Sequence, residues 1–177
     1  MKMDKVANSG NDEFYTPEYA IKPILKYIKP NSKIWCPFDD ERSHFAKLLT
    51  AEGHDVLETH ISRGEDFFEL VNSDICDWCD YIISNPPYSI KGEVFKALFE
   101  TEKPFAMLVG VVGLFESQKR FDMFASNDFE IMYMSRRIAY FKDYEEQKPS
   151  LNPPVSSVYL CKGVLPKQIV FENVNKG

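Results

Sequence analysis

The chain has 177 residues, enough for one domain with a full hydrophobic core. Its 44% hydrophobic and 27% charged residues are ordinary for a soluble globular protein, and no run of about 18 apolar residues exists, which excludes a membrane-spanning helix. The net charge of −6 argues against tight non-specific binding to a polyanion, because neutralising phosphates needs clustered Lys and Arg; a local basic surface around Lys119, Arg120, Arg136 and Arg137 stays compatible with it.

Residues 1–12 are polar and lack the apolar core of a signal peptide. They are expected to be a flexible tail on a cytoplasmic protein, with 13–177 as a single domain. Thr16 then reads as a helix N-cap, with Pro17 at the first helical position and Glu18 in the first turn. Tyr19, Ile21, Ile24, Leu25 and Ile28 recur at helical spacing up to Pro30, and Pro23 should bend this helix or delay its start. Lys33–Cys36 reads as the first strand, followed by the acidic turn Pro37-Phe38-Asp39-Asp40-Glu41-Arg42-Ser43 and a helix through Phe45, Leu48 and Leu49 that stops at Gly53. Strand, turn and helix in this order open a Rossmann-like unit. Residues 54–61 read as the second strand, with Glu58 and His60 on one face.

Cys76-Asp77-Trp78-Cys79 is an isolated C-x-x-C, expected in a loop before a strand. A zinc site needs a second ligand pair, and no suitably spaced one follows, so two reduced thiols and no metal are expected. Residues 89–102 form an amphipathic helix through Val94, Phe95, Leu98 and Phe99. The apolar run 104–112 has the composition of a central strand covered on both faces. A helix over 117–125, a strand over 129–134, a short strand over 137–141, a charged loop, a strand over 156–161 and an edge segment around 169–171 complete the chain. The fold class is therefore α/β: a mostly parallel sheet with an antiparallel C-terminal strand and helices on both faces.

The most informative stretch is Ile82-Ile83-Ser84-Asn85-Pro86-Pro87-Tyr88. Two prolines, each with fixed φ and no N–H, stop the strand at Asn85 and force a stiff loop at its carboxyl end, where ligands bind in open α/β sheets. The loop offers the Asn85 side-chain carbonyl, the Pro86 carbonyl and the flat Tyr88 ring. Two acceptors on the hydrogens of an –NH₂ group free its lone pair from the attached heterocycle and offset the charge that develops on attack, with no general base required. Asn-Pro-Pro-Val at 152–155 lacks the aromatic and reads as an ordinary loop.

Asn85-Pro86-Pro87-Tyr88 after a hydrophobic strand resembles the catalytic motif of the DNA N6-adenine methyltransferases that use S-adenosylmethionine, and the whole looks like their small phage or prophage representatives. The resemblance runs from about Asp12 to Cys161. It implies that Tyr15 and Thr16, in a Tyr-Thr-Pro segment, contact the methionine end of the donor, and that Pro37 and Phe38 belong to the first cofactor loop, with Asp39 placed to hold the donor's ammonium. It implies that His60 stands where an acid usually binds the ribose hydroxyls, and that Asp66 and Phe67 accept from and line the donor's adenine. Tyr140 or Phe141 would pack against a flipped target base. The chain departs from the family where Asp40 and Arg42 replace the glycines of the cofactor loop and Cys36 replaces its first Asp.

The resemblance further implies DNA as partner. No membrane partner is expected without a long apolar run, and the chain is too short to hold a separate target-recognition domain beyond the loop at 142–154, so a homodimer or a protein partner would supply recognition. RNA adenine or a protein glutamine offers the same planar amino chemistry. A degenerate methyltransferase fold that only binds a partner or mimics DNA is the third reading, suggested by the acidic balance and the altered loop.

Overall fold

The computed structural model describes residues 15–141 and 156–175. Seven strands form one sheet: β1 (Lys33–Cys36), β2 (Asp55–Glu58), β3 (Tyr81–Ser84), β4 (Phe105–Gly110), β5 (Glu130–Met134), β6 (Ser157–Lys162) and β7 (Ile169–Glu172), in the order β2-β1-β3-β4-β6-β5-β7. Only β6 runs against its neighbours, pairing antiparallel with β4 and β5. The helices are α1 (Glu18–Leu25), α2 (His44–Ala51), α3 (Phe67–Leu70), α4 (Asp74–Trp78), α5 (Lys91–Thr101) and α6 (Gln118–Ala125).

β4 is buried along its whole length, and its side chains alternate between two cores, as the two-residue period of a strand requires. Phe105, Met107 and Val109 pack with Trp35, Phe67, Val94, Phe95 and Leu98 under α3 to α6. Ala106 and Leu108 pack with Ile21, Ile24, Phe45 and Leu49 of α1 and α2. The Tyr159 hydroxyl on β6 donates to the Ala20 carbonyl at 2.7 Å, fixing α1 to the sheet.

Four local expectations are corrected. Pro17, not Thr16, takes the N-cap position of α1, and the helix starts at Glu18 with Pro23 inside it. β2 stops at Glu58, because the His60 imidazole accepts from the Ser62 N–H and caps a short 3₁₀ turn over Ile61–Arg63. The first cysteine of the C-x-x-C lies in a helix, since Ser73 caps α4 by accepting from the Ile75 N–H; Cys79 ends it. Residues 137–141 make no strand: Phe141 forms a single antiparallel bridge with Tyr15. All four cysteines are free thiols in buried surroundings, and no metal-binding cluster occurs among the described residues. No helix among them is long and apolar enough to cross a membrane.

The position of the site follows from the strand order. The chain leaves β1 toward β2 on one side, and β3 lies on the other. Connections that diverge from neighbouring parallel strands open a crevice at their carboxyl ends. The loops after β1 and β3 flank this one.

Candidate active site

The loop after β1 is held from both sides. The β1–β2 ladder continues past the strands, with Thr59 N–H donating to the Cys36 carbonyl at 3.0 Å and Asp39 N–H to the Thr59 carbonyl at 3.1 Å. Across the crevice, the Phe38 N–H donates to the Ser84 hydroxyl at 3.3 Å. Both Asp39 oxygens accept hydroxyls, from Ser43 at 2.5 Å and from Ser84 at 2.5 Å. Ser43 also caps α2, accepting from the Phe45 N–H. One buried carboxylate thus ties the cofactor-type loop, the start of α2 and the end of β3 together. Burial pushes the Asp39 carboxyl up to about 6, although the two hydroxyls and His60 pull it down.

The loop needs no glycine. Asp40 and Arg42 pair with each other at 2.7 Å, and neither adopts positive φ. A turn still closes here, with the Ser43 N–H donating to the Asp40 carbonyl at 3.0 Å, but it needs no positive φ and so no glycine.

Phe38 is half-buried and leans on Phe67 at a centroid distance of 5.0 Å; Phe67 is buried and stacks on Trp35 at 5.7 Å. Asp66 caps α3 by accepting from the Phe68 N–H at 3.0 Å. That bond fixes the carboxylate and leaves its second oxygen for another donor. His60 faces Ser62, 2.7 Å from its hydroxyl, whereas Glu58 is the last residue of β2, in register with Cys36.

After β3, Pro86 and Pro87 are buried and Tyr88 is 38% exposed. The Asn85 side-chain amide donates to the Thr16 hydroxyl at 3.2 Å, so the segment before α1 and the loop after β3 meet at this point. Tyr15 exchanges two 2.8 Å backbone hydrogen bonds with Phe141, which is buried and meets His44 edge-on. The Tyr140 hydroxyl lies 2.8 Å from that of Ser157, and burial pushes its phenol far up. Tyr140 and Phe141 are therefore anchored residues. The charged loop beyond Phe141 lies outside the described residues.

Sequence reasoning did not mark Ser43, Ser84 or Lys91. The two serines carry no motif and show themselves only through Asp39. The Lys91 ammonium lies 4.8 Å from the centroid of the Tyr88 ring.

No sequence-family profile matches the chain, and no curated protein matches it. Solved structures do. A modification subunit assigned to a type I restriction enzyme of Vibrio vulnificus superposes on 98% of this chain and 50% of its own, with a TM-score of 0.58 at 11% identity. A type I restriction-modification methyltransferase subunit of Streptococcus thermophilus superposes on 97% of this chain and 49% of its own, with a TM-score of 0.53 at 13% identity. The fold is that of the Rossmann-like methyltransferases. The chain spans about half the length of these two methyltransferase-fold structures. A predicted O-methyltransferase of Agrobacterium tumefaciens aligns over 85% of this chain at a TM-score of 0.47 and 10% identity.

Proposed function

We propose that this chain transfers a methyl group from S-adenosylmethionine to the exocyclic N6 of adenine in DNA. The observation that carries the reading is the Asn85-Pro86-Pro87-Tyr88 loop leaving β3 beside the switch-point crevice, with the Asn85 amide oriented by Thr16. An amide that commits an N–H to Thr16 has its carbonyl oxygen as acceptor. That oxygen and the Pro86 carbonyl are suited to the two hydrogens of an amino group, and the exposed Tyr88 ring to the face of its base.

The residues around the crevice fit the donor. Phe38 and Phe67 would line its adenine, and the second oxygen of Asp66 would accept from the adenine amino group. We assign the ribose hydroxyls to the Glu58 carboxylate, because β2 ends there and His60 is engaged with Ser62. Asp39 would hold the ammonium. The bound donor supplies an electrophilic sulfonium methyl. In this reading a second copy or a partner protein provides target recognition.

Calorimetric titration with S-adenosylmethionine should give a saturable isotherm in the micromolar range, and no binding at millimolar donor would overturn the reading. Transfer of a tritiated methyl group to duplex DNA, single-stranded DNA, RNA and protein then identifies the polymer. Label on RNA or protein alone would move the same chemistry to another amino group.

A further inference from the structure

Lys91 is 5% exposed and is the first residue of α5, where a cation opposes the helix dipole. Its ammonium donates to the Val112 carbonyl at 2.8 Å and lies 3.5 Å from the Gly110 carbonyl, both at or just beyond the end of β4. A second cation stands close by: Arg120 donates to the Gly113 carbonyl, and its Nε would lie 3.0 Å from a Cβ added at Gly92. Burial and Arg120 both pull the Lys91 ammonium below its usual value, with Glu116 opposing them. A buried charge at the unfavourable end of a helix costs stability. Methionine would fill the same space without that cost.

Resting on the reading of Tyr88 as the stacking face, we propose that Lys91 is a positioning residue for the target base. Its ammonium sits against one face of the Tyr88 ring, 4.8 Å from the centroid, and ties that ring to the loop after β4. A cation over one π-face is attracted to it and occupies it. The opposite face is then the one offered to a flipped base. Lys91 touches neither the donor nor the reacting nitrogen in this account. It acts through Tyr88.

The test measures tritiated-methyl transfer from saturating donor to duplex DNA free of N6-methyladenine, with the donor dissociation constant and the thermal midpoint recorded for each variant. Lys91→Met should lower the transfer rate about tenfold or more while the donor constant stays within twofold. Lys91→Gln keeps a hydrogen-bond donor without the charge and should fall similarly, which covers a Met variant that does not fold. Lys91→Arg, still able to cover the ring and donate to Val112, should stay within about threefold. With Tyr88→Ala already present, Lys91→Met should have no further effect, as a shared pathway requires. A Lys91→Met or Lys91→Gln protein that transfers within twofold of the parent overturns the proposal, as does an equal loss with and without Tyr88. If the parent chain labels DNA, RNA and protein not at all, the methyltransferase reading fails first and takes this proposal with it.

Discussion

The Ser84 hydroxyl donates to the Asp39 carboxylate at 2.5 Å across 45 residues of sequence, joining the end of β3 to the loop after β1. Two loops that would otherwise diverge from the switch point are cross-linked at the floor of the crevice. Because Ser84 also accepts the Phe38 N–H, one hydroxyl sets both the acid and the aromatic of the cofactor-type loop.

Ser84→Ala leaves a fully buried position otherwise well packed but removes a donor from a buried carboxylate. The expected loss is about 1.5–3 kcal/mol, the range for hydrogen bonds to charged groups. Urea unfolding checks it; a loss below about 0.5 kcal/mol would mean that the carboxylate finds another partner.

Asp39 gives the stability an unusual pH dependence. Its folded-state value of about 6 lies above the ordinary 3.8, so the folded chain binds this proton more tightly. The contribution is fully present below pH of about 4 and is lost as pH rises through about 6, amounting to on the order of 3 kcal/mol. Unfolding midpoints of the parent and of Asp39→Asn, compared between pH 4 and 7, isolate it. The parent should gain relative to the variant on acidification, and a constant difference would contradict the assignment.

Phe67 and Phe38 separate fold from site. Phe67 is 1% exposed and packs on Trp35, so Phe67→Ala should cost about 3–5 kcal/mol. Phe38 is only half-buried, so Phe38→Ala should cost less stability and instead weaken donor binding about tenfold. Calorimetry on Phe38→Ala decides; unchanged affinity would place the donor away from this loop.

Thr16→Val keeps shape and removes the acceptor of the Asn85 amide. A misdirected amide should slow methyl transfer roughly ten- to a hundredfold. Measuring rate and donor affinity together is informative. A loss of affinity without a loss of rate would assign Thr16 to the donor alone.

What the sequence made legible was what depends on neighbours in the chain. The apolar run of β4 and the stop imposed by Pro86 and Pro87 are written in consecutive residues, and the fold has both where expected. What it concealed depends on distant partners. Thr16 has good N-cap chemistry, yet its hydroxyl meets Asn85, 69 residues away, and Pro17 takes the cap position. Ser84 looks like the last residue of a strand until Asp39 is placed beside it. Lys91 looks like a solvated helix residue until Val112 closes over it. The missing glycines mark a departure from the family pattern without showing the backbone it takes: Asp40 and Arg42 avoid positive φ while the Ser43 N–H closes a turn on the Asp40 carbonyl.

Asn85→Ala is the most direct test of the central claim. The loop side chain is only partly buried, so the variant should fold and bind S-adenosylmethionine like the parent. With tritiated donor and duplex DNA, the parent should label adenine N6 and the variant should label it roughly a hundred- to a thousandfold more slowly, the scale of a lost transition-state hydrogen-bonding group. Equal labelling by both proteins would contradict the account.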